Sequence, residues 1–510
     1  MERTTHFLSI AIITMIFLIT ITQNIYASSF EEKFEWVKKT FEENDAGVPH
    51  ILERRGQAAY EIHNREILER IRKAESLNQA VYIMKDWLQF FRRGHHDIIM
   101  TNSQPTNANE QFDVTGVWDG DISAFYERIA NQTVAGLEGI WMIGTQYKIG
   151  IVKEGDDYIG FIIESEYDDW LPNMIKLKIE YNEGNVVSTF YLRNFSPEVS
   201  SKPSFIGNNI LRMGSRNISR LDPTFDDEPH NIERYLRFLS TQIPYIERIN
   251  ENTLYMRIHT FHGNFAGIVN QLVNDNFADL TSTPNLIIDI RGNPGGDNVT
   301  FEPILPLLYT NPFIEYNAEF LVGPETLKWY TNLSQNREFW VEQAGMDDDD
   351  EIQQTMDIVG RMLEMFSDKE REFVSINWDM VRTNEKPEYT VLEYPKNVGV
   401  IIDGASASAS ELFTLYAKSS RKTKIFGQRT MGSIDTGTQL YTQSPCEEIW
   451  LMYSANRFSW VPELLVDEAG IAPDFLIDRS VLAYRWVEHV TEIMNSWVTE
   501  PEPRRRRGRR

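Results

Sequence analysis

Residues 398–420 read VGVIIDGASASASELFTLYAKSS, and the fold turns on this stretch. An apolar run from Val398 to Ile402 stops at small residues and resumes with Leu412, Phe413, Leu415 and Tyr416 at helical spacing, which predicts a strand, a tight turn and a helix. Such a turn exposes a side chain at a strand end. It also aims the N–H groups of a helix N-terminus at negative charge forming beside it. Three serines alternate here, Ser406, Ser408 and Ser410. Taken alone they read as a helix cap with close packing, or more sharply as the setting of a serine nucleophile; the rest of the chain decides between the two.

Upstream, TLYMRIHTF (253–261) reads as a strand and FAGIVNQLVNDNFADL (265–280) as a helix. PNLIIDI (284–290) has the continuous apolar character of a strand buried on both faces. It runs into Arg291-Gly292-Asn293-Pro294-Gly295-Gly296, where paired glycines let the backbone approach a ligand. Neither GxxxxGK[ST] nor GxGxxG occurs, which argues against nucleotide binding. Downstream come a strand at Lys424–Gly427, the segment QRTMGSIDTGTQ (428–439), a strand at Glu448–Tyr453, VDEAGIAPD (466–474) and a closing helix through Trp497. Strands alternating with helices predict an α/β core over 240–498, with a polar helical insertion at 319–388. The acidic run Asp347–Glu351 in that insertion lacks the ligand spacing of a calcium loop and reads as a solvated loop.

With 510 residues the chain exceeds what one core supports, so several domains are expected. Its 42% apolar and 12% aromatic content can fill them. Lys and Arg total 50 against 75 acids, a formal charge of −25, which excludes nucleic acid as a natural partner. The concentrated positive charge lies in an Arg-rich tail at 499–510, read as a disordered appendage.

Residues 1–28 carry Arg3 and His6, an apolar run from Phe7 to Thr22 and a small-residue exit at Ala27-Ser28-Ser29. This is the make-up of a signal peptide and predicts an exported protein; uncleaved, the same segment would associate with a membrane. Cys446 is the single cysteine, which excludes intramolecular disulfides and a thiolate-only metal site. Export without disulfides points to a bacterial periplasm or the extracellular space.

Apolar residues at three- and four-residue spacing predict a helical N-terminal domain at 29–105. Gly94 is expected to stop its last helix, before His95 and His96. For this pair the local readings are packing, a general base, or a metal site lacking a nearby third ligand. Between 112 and 225, aromatic and β-branched runs separated by turn signals predict an antiparallel β module, either a substrate-holding element or a scaffold.

In this order, LIIDIRGNPGG, VGVIIDGASASASELF, IFGQRTMGS and DEAGIAPD resemble the core of the C-terminal-processing (tail-specific) and tricorn-type serine peptidases. The resemblance spans roughly 254–478. It implies a crotonase/Clp-protease-like core, peptide or unfolded-protein substrates, hydrolysis through an acyl-enzyme, and no cofactor. It assigns the nucleophile to Ser408 and the oxyanion hole to the amide of Ala409 with that of Gly295 or Gly296. The tail-specific branch places a basic lysine where this chain has Ser433, so that dyad is lost. The tricorn-like branch takes its base from a histidine in a Gly-His context, which matches Gly94-His95, with His96 as the fallback. An acid before the Gly-Ile-x-Pro-Asp motif would complete the set, Asp467 ahead of Glu468. The missing lysine leaves one competing expectation, an inactive member that binds peptides or other ligands; a histidine ring reaching Ser408 Oγ would favour the enzyme.

Overall fold

Strands buried on both faces need apolar side chains on both, and that requirement shapes the central sheet. The computed structural model describes residues 29–101, 115–182, 185–314, 316–343, 349–376 and 388–499, so the expected signal peptide and the Arg-rich tail lie outside the described residues. Six strands form this sheet in the order Tyr245–Asn250, Thr253–Arg257, Asn285–Asp289, Asn397–Ile402, Thr423–Gly427 and Phe475–Leu476. The first pair is antiparallel and the others are parallel. Leu286, Ile288, Val398, Val400 and Ile425 sit in its core with Phe413 of the helix Ala409–Ser419.

The helices Phe30–Asn44, Val48–Arg55, Gln57–Ile71 and Leu77–Leu88 begin the chain. Ser29 and Glu32 cap the first reciprocally, each side chain holding the other's backbone amide. Drawn above as a domain at 29–105, these helices belong to the same compact unit as 242–478. Phe34, Phe41 and Trp87 share a core with Phe320, Tyr330 and Met362 of the insertion and with Leu451 and Tyr453. A second sheet runs through this core, with Asp97–Met100, Thr436–Gln443 and Ala318–Leu321 all paired to Ile449–Phe458. Two expectations change here. The last helix stops at Leu88 rather than at Gly94, whose lack of a side chain serves a close contact described below. Asp349 and Asp350, expected in a solvated loop, open the helix Asp349–Phe366, where acids complement the helix dipole.

Behind the helices lies a buried ion pair. Arg92 binds Asp45 through both terminal nitrogens, at 2.7 and 2.6 Å, and both side chains are out of solvent. Asp45 also accepts the amides of Gly47 and Ser454, each at 2.9 Å. The pair ties the end of the first helix to Ile449–Phe458.

The other unit comprises 104–241 and 479–489. The antiparallel sheet expected between Gly139 and Arg220 appears there as nine strands, from Pro197–Ser201 at one edge to Ser204–Ile206 at the other. Its core is built on Trp141, Ile149 and Leu177. Lys176 is buried within it, its ammonium 3.7 Å from the Trp170 ring centroid and 3.8 Å from that of Tyr147. Among the described residues no helix is long and apolar enough to cross a membrane.

Asp45→Ala strands the Arg92 guanidinium in the core without its partner, and breaking a buried pair from one side costs on the order of 3–5 kcal/mol. Urea unfolding followed by tryptophan fluorescence should show that loss. A change below 1 kcal/mol would mean that water or other groups satisfy Arg92.

Candidate active site

The expected strand, tight turn and helix are present. Ser408 is the N-cap of Ala409–Ser419, half-buried, with φ 55° and ψ −121°, a backbone state that costs a non-glycine residue roughly 1–3 kcal/mol. The hydroxyls of its two neighbours are spent on structure. Ser406 Oγ donates to the Ile290 carbonyl at 2.9 Å and Ser410 Oγ to that of Asn293 at 3.0 Å. The Ser408 hydroxyl donates to none of the described residues, which sets it apart from the other two.

The glycine loop is lashed to this turn. Asp403 Oδ1 accepts the amides of Gly292 and Ala405, and the Asn293 carbonyl accepts Ala407 N–H at 3.0 Å. Gly295 has φ 99°, and a Cβ there would meet Ser408 Cβ at 2.7 Å and Ala409 N at 2.9 Å. Only glycine allows this approach. Of the two candidate oxyanion glycines, Gly295 already donates its amide to Asn293 Oδ1 at 2.9 Å. The amides of Gly296 and Ala409 meet no acceptor among the described residues.

Glu411, given no role in the sequence reading, joins the site together. Its buried carboxylate accepts Ser408 N–H and Ser433 N–H on one oxygen, at 3.0 and 2.8 Å. The other oxygen takes Thr430 Oγ and Gly432 N–H, at 2.5 and 2.9 Å. Burial raises its pKa, and these four donors oppose the rise. The spacing Ser408-x-x-Glu411 is a capping-box signature that could have marked it from sequence.

Ser433 bridges to the histidines. A Cβ on Gly94 would lie 2.4 Å from Ser433 Oγ, so Gly94 is the gap into which that serine fits. Beside it, His95 has φ 61°. Arg92 holds the backbone there, donating to the Gly94 carbonyl at 2.9 Å and to that of His95 at 3.0 Å. Ser454 Oγ gives the His95 carbonyl a second donor at 3.0 Å.

The His95 ring is oriented by a main-chain oxygen, with Nδ1 2.6 Å from the Thr436 carbonyl. That contact puts the proton on Nδ1 and leaves the Nε2 lone pair free. The ring makes no hydrogen bond to Ser408 Oγ in this structure. The two residues are linked through Glu411, Ser433 and Gly94, and catalytic contacts often tighten only when substrate is bound. Burial and the neighbouring Arg92 guanidinium push the imidazole down to about 4.

His96 is held in the core instead. Its Nε2 donates to the Arg92 carbonyl at 2.7 Å, and its buried ring meets Phe41 edge-on at 6.0 Å. The two candidate acids lie elsewhere than on the imidazole. Asp467 accepts the amides of Ile434 and Asp435, while Glu468 is exposed and paired with Arg54 and Arg55. Thr436, whose carbonyl orients the imidazole, does so through the main chain and so leaves no residue-type signal in the sequence.

Residues 252–476 match the family model described as peptidase family S41. No curated protein matches the chain. Among solved structures, mature CPAF complexed with lactacystin is 12% identical, with 92% of this chain and 98% of that one aligned at a TM-score of 0.49. The photosystem II D1 C-terminal processing protease is also 12% identical, over 92% and 98% of the two chains, with a TM-score of 0.35. The tricorn protease aligns at 12% identity over 92% of this chain and 36% of its own, with a TM-score of 0.38.

Two outcomes test this geometry. Glu411→Ala strips four donors of their acceptor and costs about 3 kcal/mol or more, since each buried donor left unmade costs roughly 1–3. Melting should drop by several degrees, and a shift under 1 °C would contradict the clamp. If His95 activates Ser408, labelling of Ser408 by a fluorophosphonate should reach half its plateau near pH 4, below which the imidazole is protonated. A midpoint near the ordinary histidine value of about 6.5 would show the ring to be solvated.

Proposed function

We propose that this chain, a serine peptidase of family S41 by its residues 252–476, hydrolyses peptide bonds through an acyl-enzyme on Ser408 with His95 as general base. The observation that carries this reading is the Ser408 hydroxyl, which donates to none of the described residues, at a strained strand-to-helix turn beside the unspent amides of Ala409 and Gly296. The core around it is of the crotonase/Clp-protease type.

In the first step Ser408 Oγ attacks the scissile carbonyl as His95 Nε2 takes its proton; Nδ1–H stays on the Thr436 carbonyl and fixes the tautomer. The oxyanion forms against the Ala409 and Gly296 amides, and one such donor lowers the barrier by on the order of 3 kcal/mol. The N-terminus of Ala409–Ser419 adds its dipole to the same charge. Collapse breaks the C–N bond, and the His95 proton leaves with the amine. A water, deprotonated by His95, then attacks the acyl carbon and restores Ser408.

The substrates are peptides or unfolded protein tails, met outside the cytoplasm once the segment 1–28 has directed export. Ser433 in place of a lysine puts the base on His95, since a serine hydroxyl cannot hold the proton at neutral pH.

A fluorophosphonate probe incubated with the mature protein should modify Ser408, and modification that persists in Ser408→Ala would end the assignment. His95→Ala should abolish turnover of an unfolded substrate. His96→Ala should melt at lower temperature while still being labelled, because it removes a core ring; loss of labelling in His96→Ala but not in His95→Ala would move the base to His96.

A further inference from the structure

Asp435 and Asp467 are locked together by their own backbones. Asp467 Oδ1 accepts the consecutive amides of Ile434 and Asp435, at 2.7 and 2.8 Å. Asp435 answers with both oxygens. Oδ1 takes the Trp460 indole N–H at 2.8 Å and Val466 N–H at 3.0 Å, and Oδ2 takes Asp467 N–H at 2.9 Å. The Asp435 carbonyl accepts Phe458 N–H at 3.0 Å. The residue before Thr436 is thereby fixed at its amide, its carbonyl and its side chain. Thr436 itself presents its carbonyl to His95 Nδ1.

An imidazole oriented by a carboxylate depends on one side chain. An imidazole oriented by a main-chain carbonyl depends on whatever holds that peptide in place. We propose that Asp435, interlocked with Asp467, is a positioning residue for His95, acting by fixing the Thr436 carbonyl against Nδ1. This rests on His95 being the base, and neither carboxylate touches substrate.

The interlock is sensitive to pH. Asp467 faces Asp435 and Arg92; Asp435 faces His50; and a cavity lined by both aspartates is also lined by Arg54, Arg457 and Glu468. Burial and the Asp435 carboxylate push Asp467 up to about 7. A carboxyl raised in the folded state contributes fully at acid pH, and its contribution is lost as pH rises through that value. Above neutrality two carboxylates then oppose one another across the interlock, and the Thr436 carbonyl loosens.

The test is the rate of Ser408 labelling by a fluorophosphonate against pH, in the full chain. The unaltered protein should reach a plateau between pH 5 and 6.5 and fall about tenfold by pH 8.5, as expected for loss of the Asp467 proton. Asp467→Asn keeps an oxygen for both amides without the charge, so its rate at pH 8.5 should stay within about twofold of its own rate at pH 6. Asp435→Asn has an acceptor on one side only and sets its NH2 against an N–H, so it should be labelled at least tenfold more slowly at both pH values. Labelling of Asp435→Asn at the unaltered rate would overturn the proposal, as would an alkaline fall that Asp467→Asn retains. Should Asp435→Asn fail to fold, the pH profile of Asp467→Asn decides alone. Labelling that does not depend on His95 at all would instead refute the base assignment, an outcome read separately from His95→Ala.

Discussion

Everything at the site depends on the buried contact between Arg92 and Asp45. Burying two charges is costly, and the pair is retained only if each polar atom finds a partner. Here each does: the carboxylate takes two amides besides the guanidinium, and the guanidinium spends its remaining capacity on Ser454 and on the carbonyls of Gly94 and His95. Such a pair is a poor source of net stability and a strong source of geometry. It holds His95 in a left-handed backbone state that a histidine would otherwise leave.

The segment from Thr430 to Thr436 carries that geometry across to the serine. Met431 N–H bonds to the Ser406 carbonyl, Gly432 and Ser433 bond to Glu411, Ser433 fills the gap at Gly94, and Thr436 meets His95. Two non-glycine residues of the site, Ser408 and His95, sit at positive φ. Each costs roughly 1–3 kcal/mol, and this one segment restrains both. The strained positions are thus supported from a common strut, while the Ser408 hydroxyl and the amides of Gly296 and Ala409 donate to none of the described residues.

How much of this could be read in advance follows from the kind of contact involved. Strands and helices of the core were legible because apolar side chains recur at the periods of those elements, as in PNLIIDI and VGVII. The turn at Ser408 was legible as a break between two such periods. The choice among three serines was not periodic information: it depends on Ser406 and Ser410 meeting carbonyls of a loop more than a hundred residues away. Asp45 and Arg92 meet across 47 positions with no motif around either, and the Thr436 carbonyl is common to every residue type. The extent of the helices was misjudged at Gly94 for a related reason. A glycine after a helix suggests a stop, whereas this one is required by Ser433, more than three hundred positions onward.

The same guanidinium that holds the His95 backbone also lowers the basicity of its ring. Arg92 lies close enough to disfavour the imidazolium, burial does so further, and no carboxylate on Nδ1 offsets either. Each unit by which a base falls below its ordinary value removes about 1.4 kcal/mol of driving force for taking the serine proton. In return the ring is neutral throughout the physiological range. With His95 as the proposed base, a site built this way would rely on placement and on the amides of Ala409 and Gly296 more than on basicity. That dependence explains why so much of the surrounding hydrogen bonding is devoted to a single carbonyl.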